Sequence, residues 1–231
     1  MTSLAVNLIP AKNLRPPTTR YRKGVKAPSL SMLKRGKQNK KLGDKITKGA
    51  WKGMTMYSLT LEERATCPSD CQQWDNCYGD NMPFAHRFDH TQTDFVARLE
   101  QQLSELNKKH TNGFVVRLHV LGDFYDGKYI VQWQLWLHQF KNMNVFGYTH
   151  HTYTSTLGAM INNINRLHPD RFRVRFSDDW DTEFSAHVIQ SKDLEYIEHG
   201  VICPEQLGKT DSCATCSYCW SSDNPVIFIE H

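Results

Sequence analysis

The sequence predicts an α/β protein: a partial (β/α) barrel of mostly parallel strands, with a basic extended N-terminal arm and a C-terminal cysteine-rich segment. Three observations predict this fold. Strand-like and helix-like periodicities alternate through the middle of the 231-residue chain, Lys and Arg are concentrated near the start, and four of the seven cysteines follow residue 200. Alternating strands and helices are typical of a parallel sheet with crossover helices. About 180 residues follow the arm, against ~250 for a full eight-strand barrel, so we expect fewer strands.

The chain is expected to divide into three parts: a basic arm at 1–50, an α/β domain at 51–200, and a metal-binding segment at 201–231. Residues 1–52 hold 14 Lys and Arg against one acid, Asp44, whereas the remaining residues hold 14 against 23 acids. A cationic arm suits nucleic-acid phosphates, because each neutralised phosphate releases a condensed counterion. The alternative is a solvated arm, or one folded back on the acidic body.

Hydrophobic periodicity predicts the elements of the α/β domain in order. Residues 54–59 have the pattern of a first strand, and residues 60–63 (Thr-Leu-Glu-Glu) match the capping box that starts a helix. Residues 94–110 carry apolar side chains three and four apart, which predicts an amphipathic helix. The same patterns predict strands at 114–121, 145–149 and 172–176, helices at 129–140 and 157–167, and shorter strands at 188, 201–202 and 226–229.

No apolar run in the sequence approaches the roughly 20 residues that cross a bilayer. Residues 1–10 also lack the basic-then-apolar order of a secretory signal. We therefore expect a cytoplasmic protein with no membrane partner. The sequence leaves the oligomeric state open.

All seven cysteines fall into two groups, and metal binding explains them better than disulfides do. Disulfides are disfavoured in a chain without a secretory signal, and an odd number leaves one thiol unpaired. The first group is Cys67, Cys71 and Cys77, and the second is Cys203, Cys213, Cys216 and Cys219.

The two groups offer different numbers of ligands. Three thiolates on one loop suit three irons of a four-iron cluster, whereas tetrahedral zinc would need a further ligand such as His86 or His90. The second group supplies four thiolates, and either a second iron-sulfur cluster or a structural zinc fits its spacing.

Polar side chains recur at similar places on three predicted strands, which predicts a shared cavity. Residues two apart on a strand face the same side, and in a barrel that side can be the interior. Arginines there could receive a carboxylate or a phosphate through two parallel hydrogen bonds. A solvent-facing edge or buried hydrogen-bonded pairs are the alternative. The cavity candidates are Arg117, His119, Tyr148, His150, Arg173, Arg175 and Ser177.

Four segments of the chain resemble the gene product 88 family of phage proteins: residues 62–68, 77–79, 117–124 and 146–149. The resemblance runs from about Lys41 to the C-terminus. The layout is in turn similar to radical S-adenosylmethionine enzymes, in which a three-cysteine loop ending in an aromatic residue follows the first strand. A phage origin implies the host cytoplasm as the location.

The resemblance implies a [4Fe-4S] cluster on Cys67, Cys71 and Cys77, whose open iron takes the amino and carboxylate groups of S-adenosylmethionine. It also implies that Tyr78 shields the cluster and that Gly122 and Asp123 form the turn that meets the cofactor's amino group. The C-terminal cysteines look like the auxiliary-cluster segments of some of those enzymes.

The sequence departs from the enzyme pattern in two places. It has Cys-x3-Cys-x5-Cys where those enzymes have Cys-x3-Cys-x2-Cys, and Gly-Asp where they have Gly-Gly-Glu. The expected function is an iron-sulfur protein resembling these enzymes, with an unassigned substrate. The alternative is a non-catalytic protein with structural zinc or iron-sulfur sites that binds nucleic acid or carries electrons.

Overall fold

The computed structural model describes residues 18–28, 31–196 and 199–230, which form a mixed α/β architecture. The predicted class is thereby confirmed. The strands in these ranges are β1 (Val25–Lys26), β2 (Lys34–Arg35), β3 (Thr55–Ser58), β4 (Arg87–Phe88), β5 (Phe114–Leu118), β6 (Met143–Thr149), β7 (Phe172–Ser177), β8 (Ser185–Ile189), β9 (Val201–Ile202) and β10 (Val226–Ile229). The helices are α1 (Phe95–Lys109), α2 (Gly127–Gln139), α3 (Thr156–Leu167), α4 (Cys213–Cys216) and α5 (Tyr218–Ser221).

Eight strands form one mostly parallel sheet in the order β2-β3-β5-β6-β7-β8-β10-β9. Only the β2–β3 pair among them is antiparallel. Strands β3, β5, β6, β7 and β8 lie side by side in chain order, with α1, α2 and α3 as the first three crossovers. The carboxyl ends of these parallel strands therefore meet at one edge of the sheet, here called the carboxyl edge, and their starts meet at the amino edge.

Helices α1, α2 and α3 pack against the same face of the sheet, because their apolar stripes belong to one buried cluster. Leu103 of α1, Trp133 of α2 and Ile161 of α3 join Val116 of β5 and Val174 of β7 in this cluster. The predicted apolar stripes of these helices are therefore core, and they leave the other sheet face to different segments.

The face opposite the helices is covered by residues from both ends of the chain. Val115 and Phe146 of this face pack with Ile46 from the segment before β3 and with Trp220 of α5. Trp51 stacks on Trp220 with ring centroids 5.5 Å apart. Both chain ends thus contribute to one folded body.

The described part of the predicted arm packs against the rest of the α/β fold. Residues 31–50 contribute strand β2 to the main sheet and Leu33, Leu42 and Ile46 to the buried core. Residues 1–17 and 29–30 of the predicted arm lie outside the described residues. No helix in the described ranges has the length and apolar character required to span a membrane.

One predicted helix start was wrong. Residues 60–63 match a capping box, but the chain there forms a bridge at Leu61 and then turns. In a capping box the Glu63 carboxylate would bond the amide of Thr60. It instead binds Arg87 and Thr19, so the local pattern is overridden by contacts with distant residues.

Candidate metal-binding site

Cys67, Cys71 and Cys77 lie on the loop that leaves β3 at the carboxyl edge, and none of the three forms a disulfide. The Cys67 thiol interacts electrostatically with the other two. Burial, with a smaller contribution from the nearby Asp123 carboxylate, raises the pKa of Cys67 well above its usual value and that of Cys71 to about 12. Because only thiolates bind metals, metal binding here must displace these protons.

The residues just before Cys67 fix the start of this loop. The Thr66 hydroxyl donates to the Glu62 carbonyl oxygen at 2.9 Å and accepts the Asp123 amide at 3.0 Å. Arg64 has a left-handed backbone with φ 66° and pairs through two nitrogens with Asp80, at 3.0 and 2.8 Å. The short segment between β3 and Cys67 therefore binds both the next strand end and the far side of the loop.

A buried ion pair holds the other end of the loop. The Arg87 guanidinium donates to the Glu63 carboxylate, with Nε–Oε2 at 2.5 Å and Nη2–Oε1 at 2.9 Å. Both side chains are at most 1% exposed. Arg87 also donates to the carbonyl oxygens of Gly79, Met82 and Ala85, so one side chain fixes most of the segment between Cys77 and β4.

A described part of the N-terminal region completes this network, and sequence reasoning missed it. The Thr19 amide donates to Glu62 Oε1 at 3.1 Å, and its hydroxyl donates to Glu63 Oε1 at 2.6 Å. Arg22 binds Glu62 at 2.6 Å, and the Tyr21 hydroxyl donates to the Asp80 carbonyl oxygen. More than 40 residues separate Thr19 from its two partners, so no spacing in the sequence signals these contacts.

The Gly122–Asp123 turn follows β5 and lies beside the cysteine loop. Gly122 has φ +80°, and a Cβ atom there would stand 2.4 Å from the Thr66 hydroxyl oxygen, so only glycine fits. The Asp123 carboxylate accepts the amides of Phe124 and His150, each at 2.7 Å. Asp123 is 1% exposed, so its side chain ties the ends of β5 and β6 together from within.

Tyr78 lies between the cysteine loop and the face opposite the helices. Its hydroxyl interacts electrostatically with Arg117 of β5 and with the thiols of Cys77 and Cys67. Protein atoms around the hydroxyl raise its pKa to about 12, although the residue as a whole is 49% exposed. The Tyr78 ring therefore lies where the cysteine loop meets solvent, with its hydroxyl among protein atoms and part of the ring exposed.

The second cysteine group gathers on the sheet face opposite the helices. Cys219 interacts electrostatically with Cys203 and Cys216, and Cys213 interacts with Cys219 and Cys203. All four are free thiols, and burial raises the pKa of Cys213 to about 12. Ser212 and Thr215 form a capping box that starts α4, and Ser217 at φ 60° turns the chain into α5.

Cationic and phenolic side chains surround this second group. Arg117 and Lys41 interact with Cys213, and Arg175 and Tyr148 interact with Cys219. Arg175 is fully buried and contacts no carboxylate among the described residues. Its guanidinium donates to the carbonyl oxygens of Ser185 at 3.1 Å, Cys219 at 2.8 Å, Ser222 at 2.5 Å and Asn224 at 2.9 Å. A buried cation beside thiols suits a site that carries negative charge when its thiols are ionised.

The predicted cavity residues are only partly brought together. Arg117 lies over the Tyr148 ring at 4.6 Å, and Arg173 and Arg175 both lie over the Phe184 ring, at 4.1 and 4.4 Å. Arg173 also forms an ion pair with the exposed Asp223. These four residues therefore share the face that carries the second cysteine group.

His119 and His150 lie elsewhere, whereas Ser177 stays on that face, because its partner Ala186 packs with Cys203. Strand β5 ends at Leu118, so His119 leaves the strand alternation and bonds the Tyr129 hydroxyl at 3.0 Å. Burial lowers the pKa of His119 to about 3 and keeps it neutral. His150 is anchored by its amide to Asp123, and Ser177 ends β7 opposite Ala186.

Across the ranges that the structure describes, no three His, Cys, Asp or Glu side chains converge on one position for a single metal ion. His90, a sequence-predicted extra zinc ligand, packs against the Tyr125 ring, with the ring centroids 4.5 Å apart and the planes tilted by 46°. A cuboidal cluster is bound by one thiolate per iron. Its thiolates therefore surround the whole cluster and lie farther apart than the ligands of a single metal ion. The three loop thiols interact with one another without converging on one position.

Replacing Arg175 by methionine is expected to lower the free energy of unfolding by about 2–4 kcal/mol, because four buried carbonyl oxygens lose their donor. The neighbouring Arg173→Met is the matched control and should cost below ~1 kcal/mol, since its partner Asp223 is 78% exposed. Chemical denaturation of both variants checks this. Equal losses would contradict the anchoring role of Arg175.

Comparison with known proteins identifies one relationship. The gene product 88 family model matches residues 31–222, most of the chain. Searches of curated proteins and of solved structures find no match.

Proposed function

The chain belongs to the gene product 88 family, and for it we propose an iron-sulfur function in which Cys67, Cys71 and Cys77 bind a [4Fe-4S] cluster with one iron open to S-adenosylmethionine. One observation carries the proposal. The three-cysteine loop and the Gly122–Asp123 turn follow adjacent parallel strands and meet at the carboxyl edge. Ligand sites of parallel α/β sheets lie at this edge.

The proposed fold is a partial (β/α) barrel whose inner side is the face opposite the helices. When bound and reduced, the cluster supplies the electron for cleavage of S-adenosylmethionine. The chain's own residues would position the cofactor and shield the cluster. Arg64 and Arg87 hold the loop, the Gly122–Asp123 turn would meet the amino group of the cofactor, and the half-exposed Tyr78 ring would shield the cluster.

We assign the second metal site to Cys203, Cys213, Cys216 and Cys219, with Arg175 and Arg117 as counter-charges. Either a second iron-sulfur cluster or zinc satisfies four thiolates. Both groups need reduced thiols, so the proposed compartment is a cytoplasm, that of the host for a phage protein.

Cofactor cleavage tests the proposal. Full-length protein purified without oxygen and supplied with a low-potential reductant should consume S-adenosylmethionine and release methionine. Omission of the reductant is the control and should abolish the reaction. A protein that contains zinc alone under these conditions and leaves the cofactor intact would overturn the proposal.

Asp123→Asn is expected to weaken S-adenosylmethionine binding at least about tenfold, because an amide nitrogen would face a backbone N–H and loosen the turn. Iron content should stay unchanged, since Asp123 is not a proposed ligand. Asp126→Asn is the matched control: Asp126 caps α2 by accepting the Tyr129 amide at 2.7 Å, and asparagine caps equally well. Binding measured by calorimetry on both variants checks this, and equal affinities would contradict it.

The second candidate function is a redox or nucleic-acid-binding protein whose metals are not catalytic. The longer Cys71-to-Cys77 step favours it, because the enzyme pattern has a shorter one. A cluster that accepts electrons without cofactor cleavage would support the redox function.

A further inference from the structure

Acidic and basic residues are concentrated at opposite edges of the sheet, the acids at the carboxyl edge and the cations at the amino edge. Two carboxyl-edge connections, residues 119–126 and 178–184, contain six acids and no Lys or Arg. The segments at the amino edge, residues 44–54, 107–113, 139–142 and 166–171, contain eight Lys or Arg and two acids. The amino edge is therefore a cationic surface on the side of the sheet away from the three-cysteine loop.

The cations of different segments come together at this edge. Lys45 pairs with Thr55 where β3 starts, and Lys108 and Lys109 end α1, just before β5 starts. Lys109, Lys45 and Arg35 all interact electrostatically with His110, whose pKa is lowered first by burial and then by these cations. The His110 ring bonds the hydroxyl of Tyr57 on β3 at 2.8 Å, so the end of α1 lies beside that strand.

Local structure explains only part of the concentration of Lys and Arg at the amino edge. Cations in the last turn of a helix interact favourably with its dipole, so the helix itself accounts for the positions of Lys108 and Lys109. Lys45, Lys48 and Lys52 lie in a loop and form no ion pair among the described residues. Of the two acids nearby, Asp44 is already paired with Arg35 at 2.6 and 2.8 Å. The gathered lysines repel one another, and an anionic partner would relieve that repulsion.

We propose that the amino edge binds the phosphate backbone of double-stranded DNA through Lys45, Lys48, Lys52, Lys108 and Lys109. All five side chains are exposed. The large exposed aromatic residues of the described chain, Tyr78, Phe84 and Trp180, lie in carboxyl-edge loops. The amino edge thus presents charge without a base-stacking platform, which suits a duplex backbone better than a single strand.

None of these five lysines belongs to a cysteine group or to residues 1–17, although their loop contacts α4, where the Thr47 amide donates to the Ala214 carbonyl oxygen at 3.1 Å. Those 17 residues hold only Lys12 and Arg15 among the chain's cations. Deleting residues 1–50 would remove strand β2 and buried core residues, so it cannot separate an arm from a folded surface. Point variants on the intact fold are required.

The test compares two variants that lose the same charge. The first carries Lys→Gln at Lys45, Lys48, Lys108 and Lys109. The second carries Lys→Gln at Lys23, Lys128, Lys192 and Lys209, which are exposed outside this surface. Binding to a fluorescein-labelled duplex of about 20 base pairs is followed by anisotropy between about 50 and 200 mM salt.

The first variant should bind at least about tenfold more weakly at ~100 mM salt, and its log–log salt slope should fall by about 2–4, roughly 0.9 per lost phosphate contact. The second should change binding less than about threefold. Arg in place of the same four lysines should preserve binding, because the charge is kept. Thermal unfolding checks that all variants fold, and the pairs K45Q/K48Q and K108Q/K109Q replace the fourfold variant if it does not.

Three results would overturn the proposal: no duplex binding by the full chain at ~50 mM salt, equal weakening in both fourfold variants, or loss of binding on removal of residues 1–17 alone. Tighter binding to a single strand than to the duplex would also count against it, since stacking would then contribute.

Discussion

Changing Cys67, Cys71 and Cys77 together to alanine is expected to remove about four irons per chain and all cofactor cleavage, because each thiolate binds one iron of the proposed cluster. The fold should survive, since the three thiols form no disulfide and belong to no apolar core cluster. Iron and sulfide analysis of protein handled without oxygen measures the loss.

A matched variant replaces Cys213 and Cys216 by alanine. It should lose the metal of the second site and keep the iron of the first, because the electrostatic interactions of the cysteines link thiols within each group. If the triple variant keeps its iron while the double variant loses all of it, the assignment of the cluster to the loop is wrong.

Arg87→Met is expected to lower the free energy of unfolding by about 3–5 kcal/mol, because it leaves the Glu63 carboxylate buried without its cation. It also removes the donor to the carbonyl oxygens of Gly79, Met82 and Ala85, so the loop after Cys77 should lose its fixed position. Denaturant unfolding gives the first effect, and iron uptake by the reduced protein gives the second.

The double variant Glu63→Gln with Arg87→Met separates charge from packing. It should be more stable than Arg87→Met alone, because removing both charges of a buried pair costs less than removing one. A double variant no more stable than the single one would show that the hydrogen bonds to the loop, rather than the charge, dominate.

The sequence predicted most of the regular structure because periodicity is a local signal. The strand at 114–121 and the helix at 157–167 appear as β5 and α3, with ends shifted by a few residues. The capping-box prediction at 60–63 failed for the opposite reason. Glu63 instead binds Arg87 and Thr19, and a local sequence pattern does not reveal contacts with such distant residues.

The candidate site was predicted only as far as residue types reveal chemistry. Two cysteine groups and a Gly-Asp turn are visible in the sequence, and the structure places the turn beside the first group. The bracing residues Thr19, Arg64, Asp80 and Arg87 were missed, because ordinary polar residues gain a role here only through tertiary contacts. The burial of Arg175 beside Cys219 was not predicted either. Strand alternation shows which face a side chain is on, but not which segment packs over that face.

Iron, zinc and acid-labile sulfide, measured per chain in full-length protein kept free of oxygen, test the central claim most directly. The claim predicts about four irons and four sulfides from the three-cysteine loop, with a second cluster or one zinc from the C-terminal group. Zinc without iron or sulfide would contradict it, as would metal-free protein in which the loop cysteines are joined by disulfides.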